Sequence, residues 1–323
     1  MSTMSTRQSM PRLGMGTWAF SGDVWGEQPE ADSTAAVLEA LDRGCTLIDT
    51  AQSYGSGRSE RIVGAAVKGR RGDVEIVTKV PPRNEVWGPP PEQPIGDGYD
   101  AAWIRDCCEQ SLRNLGTDHV DTLLLHTWSR GWPVDGEWRD ALEELKQAGK
   151  IRGYGISVDD LGASDADAAI DAGLDAVQLV YNVFYQEAAE GTLEQAAAAG
   201  TAVIARSPLQ AGILTGKYQD RAFPAGDWRA DWTPDDWLEQ NRSMVREVTS
   251  IADEFDMTIR ELALRFALSQ PKIDTVIVGC RTREQAAENF SAAAREALAP
   301  GLLGRLTSLW SDGTVRGTYL GSS

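Results

Sequence analysis

A chain of 323 residues with 31 basic and 48 acidic side chains, and a formal charge of −17, is long enough for one large α/β domain and too acidic to present a nucleic-acid groove. No apolar run approaches the roughly 18 residues that a membrane span needs, and the opening MSTMSTRQSMPR lacks an apolar leader core, so the sequence predicts a cytoplasmic protein without a membrane partner. Cys45, Cys107, Cys108 and Cys280 form no C-x-x-C pair, which predicts reduced, packed thiols; with only His119 and His126 beside them, no metal centre is expected.

From the N-terminus, strand-like apolar runs alternate with helix-patterned segments. RLGMGTW comes first. DSTAAVLEALDRG then leads to TLIDTA, RSERIVGAAVKG to VEIVTKV, AAWIRDCCEQSLRNLG to VDTLLLH, and EWRDALEELKQAGK to IRGYGISV. ASDADAAIDAG precedes AVQLVYN, GTLEQAAAAG precedes TAVIARSPL, and a helical pair from about Asp235 to Gln270 precedes DTVIVG. Apolar continuity within each run predicts parallel strands buried on both faces, and glycines stop several of the helices. Eight such units with no break in composition predict one (β/α)8 barrel, of the TIM-barrel type, spanning residues 1–323 as a single domain. Two stretches break the rhythm: PPRNEVWGPPPEQPIGDGYD after Lys79 and KYQDRAFPAGDWRADWTPDDW after the seventh strand. Both follow strands and so fall on the face where a barrel builds its sites, where Trp87, Trp128, Trp132, Trp228, Trp232 and Trp237 also lie; Trp18, Trp87, Trp128 and Trp228 are expected to wall a pocket for an apolar or aromatic ligand.

Asp49 and Tyr54 in IDTAQSYG, Lys79 in VEIVTKV and His126 in VDTLLLH fall at or just after the C-terminal ends of strands two, three and four, where a barrel builds its active site. A phenol at pKa about 10 is a poor acid at neutral pH, so a neighbouring ammonium is expected to lower it, with the carboxylate holding the ammonium in place. The seventh strand runs into SPLQAGILTGK, which fails the P-loop spacing; it is a glycine-rich turn whose N–H groups around Gly212 to Gly216, with Lys217, are candidates to cradle a pyrophosphate. After the eighth strand, Arg281 opens a helix carrying Gln285, Glu288 and Asn289, an arrangement suited to an anion or to ordinary helix capping.

Through RLGMGTW, IDTAQSYG, GISV, SPLQAGILTGK and VGCRTREQAAEN, the chain resembles the aldo-keto reductase family along nearly its whole length. The resemblance implies reduction of small-molecule aldehydes or ketones with NADPH, Tyr54 giving the proton and His126 orienting the carbonyl. It implies that Asp49, Ser157 and Gln178 lie against the nicotinamide end, with Gly16, Thr17 and Trp18 bordering nicotinamide and substrate. Arg206 would take the place of a residue stacked on the nicotinamide ring, and Ser207, Pro208, Leu209, Gly212, Leu214, Gly216 and Lys217 would follow the cofactor onward. Gly279, Arg281, Gln285, Glu288 and Asn289 would take the adenosine end, Arg281 meeting the 2′-phosphate. The chain departs from the family pattern at Val158 after Ser157, at Arg206 in place of an aromatic residue, and at Thr127 ahead of Trp128. A barrel aldolase using Lys79 as a Schiff-base nucleophile, and a nucleotide-binding barrel acting as a sensor or channel-like subunit, are the alternatives; nothing in the sequence sets the oligomeric state.

Overall fold

The apolar runs become strands because helices cover their outer side and a packed lumen covers their inner side. The computed structural model describes residues 10–22, 24–158, 162–224, 226–232 and 237–315. Eight strands, β1 (Leu13–Gly16), β2 (Leu47–Asp49), β3 (Glu75–Val80), β4 (Val120–Leu125), β5 (Ile151–Ser157), β6 (Ala176–Val180), β7 (Ala202–Arg206) and β8 (Thr275–Gly279), pair in chain order and close into a barrel, every pair parallel.

Six helices alternate with the first seven strands: α1 (Glu30–Asp42), α2 (Arg58–Ala66), α3 (Ala101–Leu115), α4 (Glu137–Gln147), α5 (Asp167–Asp171) and α6 (Thr192–Ala199). Between β7 and β8 lie α7 (Trp228–Trp232), α8 (Trp237–Glu254) and α9 (Ile259–Leu268), and after β8 come α10 (Arg283–Ala293) and α11 (Pro300–Ser311). The expected start near Asp235 lies outside the described residues. ASDADAAIDAG divides into a 3-10 turn over Ala163–Ala166 and the single-turn α5, and α11 extends the chain beyond the last expected helix. Among the described residues no helix is long and apolar enough to cross a membrane, no His/Cys/Asp/Glu cluster is arranged for a metal, and the four cysteines are buried and free.

The two-residue period of a strand divides the apolar side chains into two cores. Ile48, Ile76, Leu123, Leu125, Ile156, Val177, Val203 and Val278 join the helices in the outer core, whereas Leu47, Val77, Leu124, Ala176, Ile204 and Ile277 plug the lumen. A further step of two along the same strands reaches Asp49, Lys79, His126, Gln178, Arg206 and Gly279, so these occupy the layer above the apolar plug, at the C-terminal mouth. Gly155 lets β5 close on β6, since a Cβ there would stand 1.8 Å from the Ala176 carbonyl oxygen.

Candidate active site

Asp49 and Lys79 are almost completely buried at the ends of β2 and β3, and Lys79 Nζ donates to Asp49 Oδ1 at 2.7 Å and to the Thr50 carbonyl at 2.9 Å. The same ammonium stands 3.4 Å from the Tyr54 hydroxyl. Gln178, reaching across from β6, donates its amide to Asp49 Oδ2 at 2.7 Å, so both oxygens of the buried carboxylate are held. At the end of β1, Thr17 fixes the main chain beneath, its hydroxyl donating to the Asp49 carbonyl at 2.9 Å and accepting from Ser59 at 2.8 Å. Tyr54, Lys79, Asp49 and Gln178 therefore form one continuous polar chain in the layer above the plug.

Burial decides the electrostatics. It pushes the Tyr54 phenol above its ordinary value, and the Lys79 and Arg206 charges offset this only in part, so the expectation of a lowered phenol gives way to a raised one. Burial also works against the Lys79 ammonium, but the Asp49 carboxylate and the Tyr54 oxygen outweigh it and raise the lysine pKa. His126 is held well below its usual range by burial and then by the Lys79 and Arg206 charges, which leaves the imidazole neutral. Its Nδ1 lies 3.2 Å from the Ser53 hydroxyl, and its ring meets Tyr54 and Trp87 edge-on at centroid separations of 5.6 and 4.9 Å.

The aromatic wall differs from expectation at one position. Trp18 stands 6.3 Å from Tyr54 and 5.2 Å from Trp228, with Trp25 against both tryptophans, and Trp87 is half exposed beside His126. Trp128 instead is buried edge-on against Trp132 and Trp138 in the outer core: it follows the strand end by several residues and packs behind the rim. Trp237 is buried as well, and the Trp232 side chain lies outside the described residues.

The remaining candidates divide by position. Ser157 ends β5 in register with Gln178, and Gly16 pairs with Gly279, leaving a side-chain-free slot where β1 and β8 meet at the mouth. Arg206 ends β7 and donates to the Val158 carbonyl at 3.3 Å, so its guanidinium spans from β7 toward β5. The turn after it is backbone-strained, with φ positive at Ser207, Gln210 and Ala211, and buried Asn182 pins it by donating to the Ser207 carbonyl and the Gln210 side chain at 3.0 and 2.8 Å. Pro208 and Leu209 lead into the glycine-rich turn. There the N–H groups of Gly212 and Leu214 donate to the Leu209 carbonyl, that of Gly216 to Ile213 and that of Lys217 to the Thr215 hydroxyl. These four amides close the turn on itself, which argues against their forming an anion cradle.

Where the resemblance places the adenosine end, Arg281 is also turned inward. Its guanidinium donates to the carbonyls of Trp25 and Glu27 and to the Gln28 side chain at 2.8 to 2.9 Å, and Gln28 returns a bond to the Arg281 carbonyl. Gln285 accepts the Arg281 amide, Glu288 pairs with Arg260, and buried Asn289 donates to the Gly279 carbonyl at 3.3 Å. Trp25 in turn bridges Asp227, and the Trp228 amide donates to Val24 at 2.8 Å, tying the loops after β1 and β7 together. Sequence reasoning passed over Trp25, Gln28, Ser53 and Asn182 because their partners are distant in the chain or belong to no motif.

A closed parallel barrel carries at its mouth a half-buried phenol on a buried ammonium–carboxylate pair, beside a neutral imidazole, an arrangement able to hold and move a proton. The Aldo/keto reductase family model matches residues 12–310, and the chain belongs to that family of oxidoreductases. It is 33% identical over 279 residues to Aldo-keto reductase YhdN of Bacillus subtilis, covering 84% of this chain and 81% of that one. It is 29% identical to an NADH-specific methylglyoxal reductase of Escherichia coli, covering 89% and 91% of the two chains. The solved glycerol dehydrogenase of Gluconobacter oxydans superposes with a TM-score of 0.76 at 26% identity, covering 97% and 95%.

Proposed function

We propose that this chain reversibly reduces aldehydes or ketones with a preference for NADPH, Tyr54 supplying the proton. The observation that carries the reading is the buried chain from Asp49 through Lys79 to Tyr54. The slot between Gly16 and Gly279, with Ser157 and Gln178 across the mouth, suits a flat amide-bearing ring; Arg281, beyond the end of β8, would meet an anionic tail only after leaving Trp25, Glu27 and Gln28. When bound, the nicotinamide supplies the hydride. The protein's part is proton transfer and orientation. Burial keeps Tyr54 protonated in the resting site, and the ammonium 3.4 Å away stabilises the phenolate as its proton leaves for the carbonyl oxygen. Asp49 holds Lys79 charged, and Gln178 holds Asp49. Those bonds weigh against Lys79 as a Schiff-base nucleophile, which requires a neutral amine.

Of the relatives above, one is named for methylglyoxal reduction and one for glycerol dehydrogenation, and both reactions interconvert a carbonyl and an alcohol. The rings of Trp18, Trp87 and Trp228 favour an apolar or aromatic carbonyl. Tyr54→Phe tests the reading: NADPH should bind with nearly unchanged Kd, measured by fluorescence, while reduction of 4-nitrobenzaldehyde falls by at least about a hundredfold, the lower range for a positioned general acid. A wild-type kcat in this variant removes Tyr54 as the proton donor.

A further inference from the structure

Ser59 is the second residue of α2 and is completely buried, as are Thr17 and Thr50. Its hydroxyl accepts from the Thr50 hydroxyl at 3.0 Å and donates to the Thr17 hydroxyl and carbonyl at 2.8 and 3.1 Å, and Thr17 in turn donates to the Asp49 carbonyl. The Ser59 amide donates to the Tyr54 carbonyl at 3.2 Å. The segment from the end of β2 to Tyr54 is therefore fastened at both ends to one residue, which also holds the end of β1.

We propose that Ser59 is a positioning residue for the proton donor: it sets the reach between the Tyr54 hydroxyl and the Lys79 ammonium without touching either group. Lys79 has three N–H groups and places two of them on Asp49 and the Thr50 carbonyl, which leaves the third for the phenol. The direction of that third bond follows the place of the Thr50 carbonyl, and the place of the phenol follows the main chain of Tyr54. Ser59 holds the first through the Thr50 side chain and the second through its own amide. At 3.4 Å the contact between phenol and ammonium is near the long limit of a hydrogen bond, so a small retreat of either end removes it. The Ser59 hydroxyl carries this role by hydrogen bonding and not by packing. Its relay ends on the Thr17 and Asp49 carbonyls, which can only accept, and removing the middle hydroxyl takes from the buried Thr50 O–H its acceptor. The consequence for carbonyl reduction rests on the function proposed above; the geometric role does not.

Ser59→Ala keeps the amide and loses the relay, and Thr50→Val breaks the same bond from its other side at nearly constant volume. In protein labelled with 3-fluorotyrosine, the Tyr54 19F resonance is assigned by its absence from Tyr54→Phe. It should titrate at higher pH in both variants than in the wild type, by about 0.5–1 in pH, because the phenolate loses part of its ammonium while the facing groups Lys79, Asp49 and Arg206 are themselves unchanged. Single-turnover reduction of 4-nitrobenzaldehyde should slow by about tenfold in each variant, with NADPH Kd within about twofold of wild type. Ser59→Ala/Thr50→Val should be no more than about twofold slower than either single variant, since both remove one bond. A Tyr54 titration unmoved in both variants, an NADPH affinity that falls as far as the rate, or losses that multiply in the double variant overturns the proposal. If Tyr54→Phe keeps the wild-type rate, or the wild type turns over no carbonyl, the proposed function fails, and the 19F titration alone decides the role of Ser59.

Discussion

Replacing Lys79 by methionine removes the cation from a carboxylate that is about as buried as any polar group in the barrel. Asp49 then keeps only the Gln178 amide, and leaving one member of a buried ion pair behind costs about 3–5 kcal/mol. Unfolding entropy near 2.1 cal/mol/K per residue gives about 0.7 kcal/mol/K for this chain length, so the melting midpoint should fall by about 4–7 °C. Lys79→Met/Asp49→Asn removes the stranded charge as well and should recover more than half of that loss. Reduction of the carbonyl should remain crippled in both variants, because Tyr54 has lost the ammonium that stabilises its phenolate. Differential scanning calorimetry beside single-turnover kinetics separates the two effects. A Lys79→Met midpoint within a degree of wild type, or a double variant no more stable than the single one, refutes the charge-compensation argument.

Arg281→Ala should lower the ratio of NADH Kd to NADPH Kd by about tenfold, the low end for a charge-assisted contact, because the guanidinium must first leave Trp25, Glu27 and Gln28. Isothermal titration with both cofactors measures this, and an unchanged ratio removes Arg281 as the discriminating residue. His126 makes stability depend on pH with a definite sign. Its folded pKa lies well below the unfolded value of about 6.5, so below that pH the unfolded chain takes a proton the native ring refuses, and stability falls with acid by up to about 1.4 kcal/mol per pH unit. Urea unfolding between pH 7 and pH 5 should show a shallower decline for His126→Asn than for wild type; parallel curves would contradict the depressed pKa.

The barrel could be read from the sequence because each strand is an apolar run bounded by polar or glycine-rich turns. Its mouth was legible by counting in twos from Leu47, Val77 and Leu124 to Asp49, Lys79 and His126. What the sequence hid was everything that depends on long-range geometry. Burial outweighs the neighbouring ammonium at Tyr54, reversing the expected direction of its shift. Arg281 looked available for an anion because Trp25 to Gln28, more than 250 residues earlier in the chain, give no sign of meeting it. Trp128 looked like a pocket wall from its place after a strand, yet its ring packs outward against Trp138. SPLQAGILTGK likewise reads as a nest of amides until the hydrogen bonds of its turn are counted.

The bridge between Trp25 and Asp227 joins loops leaving the two strands that flank β8, and so closes an eyelet of chain around the end of that strand. A molecule seated against Gly279 would be threaded rather than merely docked. The fastening belongs to the loops and not to the barrel ladder, so it can open by a local fluctuation while the strands stay paired. Amide hydrogen exchange would then find the Trp228 N–H, bonded to Val24, exchanging ahead of the Val276 N–H, bonded to Arg12. The rhythm of that opening, on the microsecond-to-millisecond scale of loop gating, would set how quickly one occupant can be traded for the next.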